Sequence, residues 1–187
     1  AALGAEESKE KPNPLLSLDR LYGKSEFSAK SYGVKWLEVG QGYVRLEKSK
    51  ATKEARDIVR VDPATGKREI LVAAKALIPE GEKKPLAVSG YTFTKDLAKV
   101  LIYTNTRRVW RVHSRGDYWV LDRTSGKLHQ LGGKEASEAT LMFAKFSPTN
   151  SNRVAYVRDK NVYVEDLPTG RIEVLTKRSR DTVINGT

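Results

Sequence analysis

The chain has 187 residues, of which 39% are hydrophobic and 30% charged, and its formal net charge is +11. It contains no cysteine and only two histidines. Disulfides and zinc-thiolate sites are therefore excluded, and we expect no metal site and no cofactor. No apolar run approaches the roughly 20 residues that a membrane-spanning helix requires, so we expect no membrane span.

Residues 1–14 are mostly small, charged or proline residues, and we expect them to form a disordered leader. The first five residues, Ala1 to Ala5, are of the small-residue type found near signal-peptide cleavage sites. A mature N-terminus of this kind predicts a periplasmic or extracellular location, although a cloning boundary would look the same. Ser17 is then expected to cap a short helical turn from Leu18 to Tyr22, ended by Gly23.

From Trp36 onward the chain shows one strand signal after another, beginning with residues 36–39 and 42–46. The frame Asp-x-x-Ser/Thr-Gly-Lys/Arg-x-x-x-Leu then recurs three times, starting at Asp62, Asp122 and Asp166. An Asp side chain can cap nearby amides, and the Gly supplies a positive φ without a Cβ clash. Each copy therefore predicts the tip of a β-hairpin.

Each tip lies between runs of β-branched and aromatic residues, which favour strands. Upstream of the second and third tips, residues 93–103 and 146–157 share a further hairpin pattern, so each repeat is predicted to contain four strands. The tips are 60 and then 44 residues apart, and about 40 to 50 residues is the period of a β-propeller blade. An inserted polar loop near 73–85 explains the longer first interval. A β-sandwich of hairpins is the competing fold.

The fold class predicted for residues 15–187 is therefore all-β, with four-stranded antiparallel blades that form about three blades of an incomplete β-propeller. A closed propeller needs at least four blades, and an open one leaves unpaired flanks. Either the chain is part of something larger or it pairs with another copy, so we expect a homo-oligomer. Apolar blade faces without neighbours would favour such self-association.

Basic residues are spread over the whole chain, so we explain the net charge by a solvated surface and expect no nucleic-acid partner. The sequence contains no Gly-x-Ser-x-Gly elbow, no phosphate-binding Gly-x-x-x-x-Gly-Lys-Ser/Thr loop and no His-Glu-x-x-His motif. His129 follows the second tip, and we expect it at an exposed strand position. No catalytic residue is predicted.

One segment, 110–122, resembles the Trp-Arg stretch of the dipeptidyl peptidase IV family. Trp110 and Arg111 are followed, in the family's ungapped register, by Tyr118 and by Asp122 of the next blade turn. The resemblance continues through three blade motifs, at 146–148, 154–157 and 161–164. It ends at 181–187, Asp-Thr-Val-Ile-Asn-Gly-Thr, which is similar to an Ile-x-Asn-Gly stretch of the family.

The resemblance implies the first blades of an eight-bladed N-terminal propeller over an α/β-hydrolase domain with a Ser-Asp-His triad. Such serine exopeptidases release short peptides, usually dipeptides, from N-termini after proline or alanine. In the family the propeller supplies an acidic pair for the substrate's α-amino group and an Arg for a substrate carbonyl. Only that Arg maps here, at Arg111, as the predicted substrate-binding residue. His113 and Arg115 are weaker candidates, expected at alternate positions of the same loop.

The acidic pair and the triad are not encoded in these residues, so we expect no peptidase activity from the 187-residue chain alone. Its partners would be peptides with a free N-terminus, bound by the full-length protein. The alternative function is a stand-alone propeller-type module that binds protein or glycan. The downstream reading frame distinguishes the two: a Gly-x-Ser-x-Gly elbow favours the peptidase and a stop codon favours the module.

Overall fold

A computed structural model describes residues 16–23, 26–29, 33–37, 42–134, 136–177, 180 and 182–186. The predicted leader at 1–14 lies outside these residues. The chain divides into two units, 1–33 and 34–187, which are described separately. Within the described ranges, no helix has the length and apolar character needed to cross a membrane.

In the first unit, one helical turn spans Asp19–Gly23. The Ser17 hydroxyl accepts a hydrogen bond from the Arg20 amide at 3.3 Å, and the Ser17 carbonyl accepts one from the Leu21 amide at 3.0 Å. The Arg20 guanidinium also pairs with the Glu26 carboxylate at 2.6 Å. The predicted capped turn is therefore confirmed.

The described part of the second unit contains twelve strands in a four-stranded and an eight-stranded antiparallel sheet, and we call its three successive groups of four strands blades 1 to 3. Blade 1 contains β1 (Lys35–Trp36), β2 (Tyr43–Lys48), β3 (Arg56–Val61) and β4 (Arg68–Val72). Blade 2 contains β5 (Gly90–Phe93), β6 (Lys99–Val109), β7 (Val112–Asp122) and β8 (Leu128–Gln130). Blade 3 contains β9 (Leu141–Phe146), β10 (Arg153–Arg158), β11 (Asn161–Asp166) and β12 (Arg171–Val174). The predicted all-β antiparallel architecture is confirmed, although residues 38 and 39 of the first predicted strand lie outside the described ranges.

All three Asp-x-x-Ser/Thr-Gly frames form hairpin tips as predicted, joining β3 to β4, β7 to β8 and β11 to β12. In each tip the Asp carboxylate accepts backbone amides two or three residues on, as Asp122 does from Thr124 and Ser125 at 3.0 and 2.9 Å. The Gly of each frame has a positive φ, for example 75° at Gly126. These local interactions explain why one short pattern specifies the same turn three times.

Apolar side chains on the two faces of blade 2 belong to two different cores. Val100, Ile102 and Leu121 pack toward blade 1, whereas Leu101 and Val120 pack toward blade 3. Because strand residues alternate between faces, one hydrophobic strand contributes to both cores. Blade 2 is therefore buried on both sides, and side-chain packing holds it between its neighbours together with backbone pairing of β7 with β9.

The inserted segment 73–85 was predicted to be a polar loop, but its first residues are partly buried in the core. It contains a 3₁₀ turn, Ala74–Leu77, in which Leu77 is 1% exposed and belongs to the core between blades 1 and 2. The Ala74 amide donates to the buried Asp57 carboxylate at 2.7 Å. The start of the insert thus caps the core, and residues 80–84 are exposed.

Candidate functional site

The second blade carries a projection that blades 1 and 3 lack. Strands β6 and β7 are 11 residues long, whereas their counterparts β2, β3, β10 and β11 have six residues each. Their pairing continues from the Thr104–Asp117 pair to the Val109–Val112 pair. We call residues 105–115 the ribbon.

Trp110 and Arg111 form the two-residue turn at the tip of the ribbon. Trp110 has a φ of 60°, in the left-handed region that non-glycine residues seldom adopt, and it is 90% exposed. The Arg108 side chain stabilises this turn, since its Nε donates to the Trp110 carbonyl at 3.1 Å. Arg111, the predicted substrate-binding residue, is therefore an exposed side chain at the tip.

Two bulges, one on each strand, change the register along the ribbon. Pairing shifts between Thr104 and Arg107 by an extra residue on β6, where Asn105 has a φ of 45°, and again between Arg107 and Arg108 by an extra residue on β7. A bulge bends the strand and increases its twist, which re-aims side chains beyond it. The direction of Arg111 therefore depends on this irregular segment.

Tyr103 holds the base of the ribbon. Its hydroxyl donates to the carbonyl oxygens of Arg115 and His113, at 2.8 and 3.0 Å, and its ring stacks on Tyr118 with centroids 4.6 Å apart. Burial raises the pKa of Tyr103, so the hydroxyl remains protonated and able to donate at neutral pH. Gly116 lies against the same ring, and a Cβ there would come 2.7 Å from the Thr104 carbonyl oxygen.

The buried Asp117 carboxylate joins the ribbon to blade 3. One of its oxygens accepts from the Asn105 side chain and the other from the Ala139 amide, both at 2.7 Å. Backbone pairing of Arg115 with Met142 and of Gly116 with Leu141 adds β9 to the same anchor. The ribbon is therefore fixed at its base by two blades.

His113 and Arg115 do not lie in a loop with Arg111, as we had predicted, but in strand β7. His113 is paired with Arg108 and Arg115 with Arg107, and the His113 Nδ1 is 2.9 Å from the Thr106 hydroxyl. The expectation failed because a two-residue turn between two long strands replaces the loop. Both residues are exposed on the ribbon.

His129 is not the exposed strand residue that we expected. Its Nε2 lies 2.6 Å from Oε1 of Glu165, whose other carboxylate oxygen accepts the Gly132 amide at 2.9 Å. Glu165 is 1% exposed, and the Arg158 side chain donates to the Gly132 carbonyl at 2.9 Å. This cluster joins blades 2 and 3 across 36 residues of sequence, which no local pattern could reveal.

The matched family model describes the "Dipeptidyl peptidase IV (DPP IV) N-terminal region" and covers residues 94–187, which include the whole ribbon. The chain belongs to the dipeptidyl peptidase IV family. The match begins in blade 2 and continues through the described part of blade 3, so Arg111 lies within the family region.

Relatives in this family extend the similarity toward the N-terminus. The chain is 30% identical over 184 residues to the "Probable dipeptidyl-aminopeptidase B" of Podospora anserina, covering 91% of this chain and 19% of the relative. It is 36% identical over 95 residues to "Dipeptidyl aminopeptidase B" of Saccharomyces cerevisiae, covering 51% of this chain and 10% of that protein. The chain thus spans no more than about a fifth of the length of these relatives.

The fold is similar to that of dipeptidyl peptidase 4 from Porphyromonas gingivalis, with a TM-score of 0.66 and 22% identity over 88% of this chain and 22% of that one. Together with the family match, this similarity supports the N-terminal propeller architecture over a sandwich. In this member of the dipeptidyl peptidase IV family, blade 2 carries the ribbon, and Arg111 lies at the tip of the ribbon.

Proposed function

We propose that this chain is the N-terminal propeller part of a dipeptidyl peptidase IV-like serine peptidase, which cleaves short peptides from N-termini after Pro or Ala. In this proposal the blades belong to an eight-bladed ring that binds and gates substrate, and they have no activity alone. Family membership supports the peptidase class. The position of Arg111, exposed at the tip of a projection that only one of the three described blades carries, supports the binding role.

The proposed action of Arg111 follows from guanidinium chemistry. Its planar, permanently charged fork can donate two hydrogen bonds, to a peptide carbonyl oxygen and to a neighbouring carboxylate. Because the ribbon base is anchored by Tyr103 and Asp117, the fork would meet the substrate with little loss of backbone freedom. Such positioning lowers the entropy cost of bringing the substrate to a catalytic group.

The test uses the complete polypeptide encoded by the gene, with glycyl-prolyl-p-nitroanilide as the substrate. Arg111→Ala is expected to lower kcat/KM by about 10- to 100-fold, the loss of one hydrogen bond to a charged group. Arg56→Ala is the matched control, because Arg56 is an exposed arginine at the equivalent hairpin of blade 1. Equal effects of the two substitutions would contradict the role of Arg111, and a complete product without turnover would favour the interaction module.

Self-association is a further part of the proposal. Blade 3 and the residues after it expose four large apolar side chains to about half of their full extent: Phe143, Val174, Leu175 and Ile184, at 47%, 50%, 55% and 52%. Contacts between such surfaces are favourable at about 25 cal/mol per Å² of apolar area buried. We expect a dimer or larger species of the 187-residue chain by light scattering, whereas a monomer at all concentrations would contradict the proposal.

We also propose a periplasmic or extracellular location for the full-length protein. Cell fractionation of the native host with an antibody against this chain tests it. Recovery in the cytoplasmic fraction would contradict the proposed location and leave the peptidase proposal unaffected.

A further inference from the structure

The ribbon concentrates positive charge to an unusual degree. Four arginines lie within nine residues of sequence, all of them exposed: Arg107, Arg108, Arg111 and Arg115. Arg107 is directly opposite Arg115 in the strand pairing, and Arg108 is opposite His113. Like charges in directly opposite strand positions destabilise a hairpin, so folding alone does not favour this arrangement.

No carboxylate of the described residues neutralises these arginines. Elsewhere in the blades, several strand cations have acidic partners, as in the ion pairs Arg60–Glu69 and Lys99–Asp122 and the contact of Glu47 with both Arg45 and Arg68. On the ribbon the described structure contains no ion pair, and the one side-chain bond of these four guanidinium groups, from Arg108, goes to a backbone carbonyl. The ribbon therefore presents uncompensated charge to solvent.

We propose that the ribbon selects acidic peptides, that is, peptides with Asp or Glu side chains within about six residues of their N-terminus. This inference rests on the proposed function, because it assigns the substrate class of the site that contains Arg111. Carboxylates pair with guanidinium groups in bidentate geometry, and an opposite potential also speeds encounter. Substrate carboxylates would supply the negative charge that the ribbon lacks.

The dimensions of the ribbon match an extended peptide. The Arg107–Arg115 pair is four residues from Arg111 on each strand. At about 3.3 Å per residue this is a distance of about 13 Å, the length of about four residues of an extended peptide. A peptide whose N-terminal carbonyl meets Arg111 can therefore place a later carboxylate beside the Arg107–Arg115 pair.

The exposed apolar side chains at the tip fit the same ligand. Trp110 is 90% exposed and Val112 64% exposed, and tryptophan and arginine are the residues most enriched among binding hot spots. Single-stranded nucleic acid is the competing anionic ligand, but its binding relies on several aromatic platforms in a basic groove. Trp110 is the one Phe, Tyr or Trp side chain of the ribbon, so an acidic peptide fits it better.

The first experiment compares two probes on the complete polypeptide: Gly-Pro-Glu-Glu-Glu-Glu and Gly-Pro-Gln-Gln-Gln-Gln, each with a reduced, non-hydrolysable bond after Pro and with fluorescein on an added C-terminal lysine. Binding is measured by fluorescence anisotropy at low salt. We expect the Glu probe to bind at least about tenfold more tightly than the Gln probe, and the preference to fall at high salt. Equal affinities would overturn the inference.

The second experiment removes three charges from the ribbon and leaves Arg111 intact. Arg107→Gln, Arg108→Gln and Arg115→Gln together are expected to abolish most of the preference for Glu, about tenfold. The matched control is Lys67→Gln, Lys127→Gln and Arg171→Gln, which removes the same net charge from the three repeated turns, where all three side chains are exposed. An equal loss in both triple variants would show non-specific attraction and overturn the inference.

Further variants and a competition experiment distinguish acidic-peptide binding from the alternatives. Lysine at the three ribbon positions preserves the charge and is expected to retain much of the preference, while the probe comparison on the unaltered protein does not depend on any variant folding. Oligothymidylate that displaces the Glu probe more effectively than unlabelled Glu peptide would overturn the inference in favour of nucleic acid. A preference for Glu without peptidase turnover would contradict only the proposed function, whereas Arg111-dependent turnover without that preference would overturn only this inference.

Discussion

Strand β7 ends at the Asp122 turn and begins beside the ribbon tip at Arg111, and these two ends of one strand are stabilised differently. At the turn, Asp122 accepts amides two and three residues away, and Gly126 supplies the positive φ. At the ribbon, Tyr103 and Asp117 hold residues that are up to 22 positions distant in sequence. The turn recurs in all three blades, whereas the ribbon occurs in one.

The turn residues recur in every blade and stabilise its fold, whereas the ribbon residues are specific to blade 2. A turn stabilised by its own side chains can be repeated wherever the frame is repeated. A projecting ribbon with two bulges and unpaired arginines needs support from neighbouring strands, which blade 2 obtains through Gly116 and β9. Substitutions at the two ends should therefore separate stability from ligand binding.

The largest effect on stability is expected at the turn end of the blades, where Glu165 joins blades 2 and 3. Glu165→Ala should lower the free energy of unfolding by about 2–4 kcal/mol, because a buried amide loses its partner and a cavity forms. Urea denaturation measures this, with Glu173→Ala on the exposed edge strand β12 as the control. Ribbon binding per folded molecule should not change; a parallel loss of probe binding would mean that the two ends are coupled.

A somewhat smaller loss of stability, but with a loss of binding, is expected at the base of the ribbon. Gly116→Ala places a Cβ 2.7 Å from the Thr104 carbonyl, and such overpacking costs about 1–3 kcal/mol. Gly90→Ala is the matched control, since its Cβ would meet the same Tyr103 side chain at an ordinary 3.5 Å. If both alanines are tolerated equally, close packing at Gly116 does not anchor the ribbon.

Removing one hydroxyl should affect the ribbon more than the blade. Tyr103→Phe loses the bonds to the His113 and Arg115 carbonyls, and we expect a cost of about 1 kcal/mol together with faster hydrogen exchange of amides in the ribbon. Tyr163→Phe is the control, because Tyr163 is stacked on Tyr156 in a similar way and its hydroxyl makes no hydrogen bond within the described structure. Unchanged exchange in Tyr103→Phe would contradict the anchoring role.

The smallest effect is expected at the turn and depends on pH. The amide of Ser125, which donates to Asp122, holds the pKa of that carboxyl below its usual value of about 3.9. The ionised carboxylate therefore stabilises the fold above about pH 4, and this contribution is lost as the pH falls through the lowered pKa. Asp122→Asn should lower the Tm slightly at pH 7, and the difference from the unaltered protein should shrink as the pH falls below about 4. A difference that does not change with pH would mean that the amide geometry, and not the charge, is responsible.

The parts of the fold that could be predicted from sequence are those with local causes. The turns at Asp62, Asp122 and Asp166 were predicted because the side chains and the amides that they accept are close together in sequence. Arg111 is predicted to bind substrate because the family register is ungapped between Trp110 and Asp122, and this role stays a prediction. His129 was misplaced because Glu165, its partner, lies on another blade.

The sequence by itself determined the hairpin tips and the resemblance to the family, since each depends on short motifs whose residues are close together in sequence. The tertiary structure alone decided where Arg111 lies and what supports it. A strand pattern does not indicate where strand pairing stops, so only the folded structure shows that β6 and β7 continue past the Thr104–Asp117 pair into the ribbon. The bulges, the Tyr103 bonds and the uncompensated arginines all follow from that extension.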